Sequence, residues 1–207
     1  MIIPLPPRMS PLFYRNLPKP RNRLLAGVAA LVLVTTIHGT ALAALHPHLR
    51  DGWILGLGVG GGGAAIKSGG QTGDRETGST GHFRAGYILN PRVSIGLEGN
   101  FWMKTVEGVD WTFDTYTAEA TFYPGNGFTL RAGVGGGGAE AAISSGNATT
   151  TASETGLGAS TGVGYEIRVS RRWAVVPQID FSYINLDSFD ANFFSFSIAA
   201  HWYILPK

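Results

Sequence analysis

Residues 192–204 read Asn-Phe-Phe-Ser-Phe-Ser-Ile-Ala-Ala-His-Trp-Tyr-Ile. From Phe194 every second position is apolar: Phe194, Phe196, Ile198, Ala200, Trp202. Ser195, Ser197 and His201 fall between them. A strand turns successive side chains to opposite faces, so a period of two marks a β-strand with one apolar and one small polar face. The same alternation recurs upstream over 52–60, 81–90, 93–103, 111–123, 128–137, 155–167 and 173–185. No window after residue 43 gives a convincing 3.6-residue period. The class expected is all-β, with eight strands.

The connections alternate in length. Asn90-Pro91-Arg92, Pro124-Gly125-Asn126-Gly127 and Ser170-Arg171-Arg172 are short and carry turn residues. Segments 61–80, 104–110, 138–154 and 186–191 are longer and polar, and the first and third are rich in Gly, Ser and Thr. Short turns at one end and long loops at the other describe an antiparallel up-and-down meander. Leu57–Ala64 and Ala132–Ala139 echo each other across 75 residues. Matching hairpin pairs and glycine-rich low complexity both account for that echo. A phosphate-cradling loop does not, because no Lys-Ser/Thr follows and no helix opens there.

The first 43 residues have a different character. Arg8, Arg15, Lys19, Arg21 and Arg23 precede a 14-residue apolar run, Leu24–Ile37, and then Ala41-Leu42-Ala43. Basic region, apolar region and small-residue cleavage site are the parts of a secretory signal peptide. The alternative is an anchor helix stretched to Leu45, which His38 and the cleavage site disfavour. The expected organisation is a signal peptide at 1–43, with Met1 or Met9 as its start, and a mature barrel domain at 44–207. All 14 acids and 11 of the 16 basic residues lie after residue 43, so the mature chain carries −3. A weakly acidic exported chain is a poor nucleic-acid binder. The absence of cysteine excludes a disulfide scaffold, a thiol nucleophile and Cys-ligated metal.

Periodicity alone allows a soluble barrel or a membrane barrel. Charged residues make up 14% of the chain, against about 25% in ordinary soluble domains. The polar face is built from Gly, Ser and Thr, with no lysine inside any strand, whereas a water-facing sheet is normally studded with charge. An apolar face toward lipid and a small polar face filling a narrow lumen resolve both observations. With the short turns at the periplasmic end, Trp53, Tyr87, Phe122, Phe128, Tyr165, Trp173 and Trp202 form an aromatic girdle there. Phe101, Phe113, Tyr183 and Phe194 fall near the other end, with aliphatic residues between. Two girdles around an aliphatic band mark the two membrane interfaces. The reading is an eight-stranded antiparallel up-and-down transmembrane β-barrel.

GYILNPRVSIGLEGNF (86–101), TFYPGNGFTLRAGVGGG (121–137) and GYEIRVSRRWAVVPQIDFSY (164–183) resemble the repeating hairpins of OmpA/OmpX-like outer-membrane β-barrel domains, often labelled porin-family proteins. The resemblance covers the mature chain and rests on pattern more than on identities. It implies a Gram-negative outer-membrane location, contact with lipid and lipopolysaccharide, and passage through the barrel-assembly machinery. It also implies a monomer. Phe194–Trp202 resembles the alternating C-terminal insertion signal of the family, which usually stops at a terminal aromatic; here Tyr203–Lys207 follow.

Candidate chemistry concentrates on the inward face, in Arg84, Glu98, Glu119, Arg131, Glu166, Asp180 and His201 on seven strands. Arg131 and Glu119 are joined by a hairpin and can pair. Two arginines against four acids leave an acidic excess, so water enters or some carboxyls hold protons. A structural plug, a water path and a catalytic cluster are the three roles open to this set. His82 is expected at the loop end of the second strand. No histidine–serine pairing of the kind used by lipid-acting barrel enzymes is present, and no cofactor is implied. His46-x-His48 is weak evidence for a metal, and no metal site is expected. The role expected is non-enzymatic, in membrane integrity or in surface interaction through the loops. A narrow passive pore comes second and a lipid-modifying enzyme third.

Overall fold

The computed structural model describes residues 50–125, 127–145 and 148–205; the expected signal peptide lies outside them, as do His46 and His48. Eight long strands follow in chain order: β1 (Trp53–Ser68), β2 (Glu76–Asn90), β3 (Val93–Val106), β4 (Val109–Gly125), β5 (Phe128–Ser145), β6 (Ala148–Tyr165), β7 (Trp173–Asn185) and β8 (Asp190–Ile204). Two dipeptides, Gln71–Thr72 and Ile167–Arg168, add short pairings to β1 and β7. Each long strand pairs antiparallel with its sequence neighbour. β8 then pairs back onto β1, from Trp53↔Ile204 to Lys67↔Asp190, which closes the ring. Closure leaves no edge strand in the ring itself, although the outer part of β6, 148–156, runs past the end of its ladder with β7.

The polarity of this ring is inverted relative to a water-soluble protein. Leu57, Val59, Val134 and Leu157 are each more than 70% exposed, while Arg84, Glu119, Arg131 and Asp180 are at most 3% exposed. Single exposed apolar residues are common on soluble proteins, but a continuous apolar belt around a charged centre is not. The belt is the lipid-facing surface of a transmembrane barrel.

The segments expected as long loops are mostly strand. β5 and β6 have 18 residues each. At about 3.3 Å per residue they run to roughly 60 Å, far beyond the ~25 Å apolar band of an outer-membrane barrel. β1 continues to Ser68 and turns at Gly69-Gly70, both with positive φ. β3 and β4 are joined by Glu107 (φ 52°) and Gly108 (φ 81°), a two-residue turn whose twist matches the flanking strands. These hairpin arms escaped the sequence reading because their Gly, Ser, Thr and Ala residues give no apolar alternation. Backbone pairing needs none, and only 69–75, apart from the Gln71–Thr72 pairing, and 186–189 stay connections of the expected kind.

Pro177 lies inside β7, opposite Ile198 of β8. The ladder between β6 and β7 stops at Gly164↔Gln178 and resumes at Ile167↔Val175. Proline has no N–H to give that ladder, which accounts for the interruption.

Small inward residues let the wall curl tightly. A Cβ placed on Gly60 would stand 2.0 Å from the carbonyl oxygen of Phe196 across the closing seam. One placed on Gly61, the next residue, would meet nothing nearer than 3.7 Å. Gly60→Ala is therefore expected to cut the yield of the compact, heat-modifiable band on an unboiled denaturing gel, with Gly61→Ala matching the wild type. Equal yields from the two variants would contradict the tight-seam argument.

Candidate functional site

Strand alternation aims one side chain in two at the lumen, and the ring brings inward residues of distant strands together. All seven residues singled out for the interior are at most 3% exposed. Glu119 is their centre. Arg84 Nη2 lies 2.9 Å from Glu119 Oε1, Thr121 Oγ1 donates to the same oxygen at 2.5 Å, and Arg131 Nε stands 3.9 Å from Oε2. Arg84 also donates to Ser94 Oγ at 2.9 Å and to Thr121 Oγ1.

Arg131 makes its tighter contacts elsewhere. It donates to Gln178 Oε1 at 2.8 Å and pairs with Asp180, while Gln178 Nε2 donates to Asp180 Oδ2 at 2.9 Å. Gly162 makes room for this group, since a Cβ there would collide with Asp180 Oδ1. The expected Arg131–Glu119 pairing thus exists as the looser of two. Glu98 accepts from Asn100 Nδ2 at 2.9 Å and lies 3.5 Å from His82 Nε2.

Glu166 forms a second centre nearer the short turns. Arg50 Nε donates to its Oε2 at 3.1 Å, and Arg168 is paired to its other oxygen. Each guanidinium is backed by a tyrosine ring, Arg50 at 4.2 Å from Tyr123 and Arg168 at 3.6 Å from Tyr203. Ser94 Oγ and Tyr123 Oη are 3.2 Å apart and link the two centres. His201 is fully enclosed; a Cβ on Gly56 would stand 2.7 Å from its Cδ2.

Three interior residues change the sequence reading. His82 is buried against Glu98 instead of standing at a loop end. Arg50 and Arg168 are buried as well, so four arginines face four acids and the expected acidic excess disappears. The charges divide unevenly between the two centres: Arg84 and Arg131 stand among Glu98, Glu119 and Asp180, while Arg50 and Arg168 share Glu166. The clue was present: Arg168 is two residues beyond Glu166, and His82 two before Arg84, on the same face.

Apolar clusters flank the charges. On the long-arm side, Ala64, Trp102, Phe113, Ala139, Ile184 and Phe193 pack inside the ring with Leu186 and Ala191. Phe113, expected in the outer girdle, instead points inward and stacks on Trp102 with ring centroids 5.5 Å apart. It is odd-numbered like Thr115, Thr117 and Glu119, which share its inward face. At the turn end, Ile54, Ile88, Ala174, Val176, Ala199 and Tyr203 form the second cluster.

The girdle residues at that end stand outside the wall in cross-strand pairs. Trp53 meets Tyr87 edge-on at 5.3 Å, Phe128 meets Tyr165 edge-on at 5.0 Å, and Trp173 stacks with Trp202 at 6.0 Å. Phe122 is 46% exposed on the same outer surface. Among the described residues no group of three or more His, Asp or Glu is arranged to hold a metal.

A family model described as an outer membrane protein beta-barrel domain matches residues 28–201. The chain belongs to this family. It is a bacterial outer-membrane β-barrel of the OmpA/OmpX-like type. Its fold is similar to that of Ail, the attachment invasion locus protein of Yersinia pestis, with 18% identity over 74% of this chain and 100% of Ail, at a TM-score of 0.53. Ail has also been solved in complex with the heparin analogue sucrose octasulfate, at a TM-score of 0.56 and again 18% identity, covering 74% of this chain and 100% of that one. Neisserial surface protein A matches at 16% identity over 74% of this chain and 98% of its own, with a TM-score of 0.53. No curated protein matches the chain in sequence.

Removing one partner of a buried ion pair leaves an uncompensated charge and costs about 3–5 kcal/mol. Arg131→Ala should therefore lower the unfolding free energy of the barrel in lipid vesicles, extrapolated from urea titrations, by an amount of that order. Arg131→Ala combined with Asp180→Ala should recover part of the loss. A double variant no more stable than the single would argue against the pairing.

Proposed function

We propose that this outer-membrane barrel is closed and non-enzymatic, and that it works at the cell surface through its hairpin arms. The observation that carries the reading is the layered interior: a buried network of salt bridges and hydrogen bonds with an apolar cluster on either side. An ion crossing such a lumen would shed water at both apolar layers and displace a salt bridge between them. The interior residues Arg84, Glu98, Glu119, Arg131, Glu166, Asp180 and His201, with Arg50 and Arg168, are then a structural plug. The girdle of Trp53, Tyr87, Phe122, Phe128, Tyr165, Trp173 and Trp202 sets the depth of the barrel in lipid.

The arms favour a surface role. β3–β4 and β5–β6 extend as paired strands past the apolar band, so they present fixed edges, and β3–β4 a fixed turn at Glu107-Gly108, to lipopolysaccharide or to another surface. Ail's complex with a sulfated sugar is a precedent for ligand contact on this fold. Here the arms carry few cations (Lys67, Arg75 and Lys104) amid an excess of acids, and Lys104 is tied to Glu76 at 2.5 Å. A heavily sulfated partner is disfavoured for this chain. An enzymatic role lacks support in the geometry, because His82 and His201 are enclosed in the lumen and a lipid substrate approaches from outside. Assembly through the barrel-assembly machinery as a monomer completes the reading, without cofactor, metal or nucleic acid.

Single-channel recording of the mature chain in a planar bilayer tests closure. The wild type is expected to be silent, and Trp102→Ala with Phe193→Ala and Arg131→Ala to show steps. Regular steps in the wild type would instead install the narrow passive pore. For the arms, replacing residues 142–151 by an Asn-Gly turn should keep the heat-modifiable band. Cells expressing the intact chain are expected to gain adhesion or detergent resistance over cells without it, and the shortened arm to lose that gain. Cells unchanged in both properties would count against the surface role.

A further inference from the structure

The short-turn end carries a feature that neither the plug nor the arms explain. Its exposed charges are almost all basic: Arg92 in the β2–β3 turn, and Arg171 and Arg172 before β7, with Asp51 the one exposed acid among the described residues there. The backbones of Arg92 and Arg172 are held in place. Tyr203 N–H donates to the Arg172 carbonyl at 2.8 Å, and Tyr123 N–H donates to the Arg92 carbonyl at 2.8 Å. Ser170 Oγ accepts from the backbone N–H of Arg172 at 3.3 Å and of Trp173 at 3.1 Å, which fixes the turn.

Immediately beside this turn, Trp173 and Trp202 face each other in register and stack at 14° between ring planes on the lipid-facing wall. The result is an indole platform at membrane depth with two guanidinium-bearing residues at its aqueous edge. Interfacial tryptophans lie against glycerol and upper acyl chain, and arginine takes phosphate bidentately.

We propose that Arg171 and Arg172, with Trp173 and Trp202 as platform, form a binding site for an anionic phospholipid of the periplasmic leaflet, phosphatidylglycerol in chemistry. The phosphate meets the guanidinium groups and the glycerol backbone lies along the stacked indoles. Arg92, beside the outward Phe122, is a weaker second position built on the same plan. Charge complementarity selects this occupant over zwitterionic lipid, and the depth of the tryptophans selects a lipid over free phosphate. The site depends on the barrel's orientation and is indifferent to whether the lumen conducts.

The test uses the mature chain refolded into phosphatidylcholine vesicles holding a minor fraction of brominated phosphatidylglycerol, or of brominated phosphatidylcholine as control. Trp53→Phe and Trp111→Phe remove the other emitters near lipid, so quenching reports Trp173 and Trp202. A basic residue near an anionic surface is worth about fivefold in affinity. The relative association constant of phosphatidylglycerol over phosphatidylcholine should stand several-fold above one. It should fall to near one in Arg171→Gln/Arg172→Gln and in about 1 M salt, where the screening length is ~3 Å. Heat-modifiable mobility of the variant confirms that it is folded. A preference equal in wild type and folded variant, or no preference in the wild type, overturns the site. Free inorganic phosphate that abolishes the preference at millimolar concentration overturns the lipid assignment.

Discussion

A backbone amide or carbonyl without a partner is costly in a medium that holds no water. Hydrocarbon therefore admits a sheet only if its first and last strands meet. In this chain the pairing of β8 with β1 along fifteen residue pairs meets that condition, and much else follows from it. A closed ring of eight strands encloses a lumen only wide enough for side chains. Glycine, serine and threonine line it, and some approaches leave no room for a side chain, as where Gly60 meets the Phe196 carbonyl on the neighbouring strand. Most of the large apolar residues stand outward, where lipid replaces the core of a soluble protein, and the rest gather in two clusters inside the ring.

The narrow lumen then sets the rules for charge. An arginine inside cannot reach water, so it needs a carboxylate, and the ring supplies one from a strand distant in sequence. Arg131 reaches Asp180, 49 residues away, and Arg50 reaches Glu166, 116 residues away. Arg131 and Asp180 are both in register with Gly162 of β6, so their pair forms once β5, β6 and β7 lie side by side. The tyrosines behind Arg50 and Arg168 offer π-faces to cations in a place where water is scarce.

The fold was legible because alternation is a local property. Phe194 to Trp202, or Val93 to Phe101, announces a two-faced strand without knowledge of any partner. The inward face could be read by counting in twos, and the lumen residues were found that way. Arg50 and Arg168 were not, because both fall just outside the strand limits read from the sequence, 52–60 and 155–167, although Ile167 and Val169 flank Arg168 with the same alternation. Phe113 was misplaced for the opposite reason. Its aromatic ring suggested a girdle, while its parity with Thr115 and Thr117 placed it inside. The arms were invisible because Gly, Ser and Thr strands look like loops, and only the ladder of register between β5 and β6 distinguishes them.

That ladder has a consequence for recognition. A tip carried on a flexible loop loses conformational freedom when it is captured, and the loss is charged against every contact it makes. The turn at Glu107-Gly108 sits instead on two strands already paired residue by residue from Val106↔Val109 down to Val93↔Phe122. Its disorder was surrendered during folding. A small contact at such a tip retains most of its gross interaction energy, so a partner needs only a modest footprint to be held.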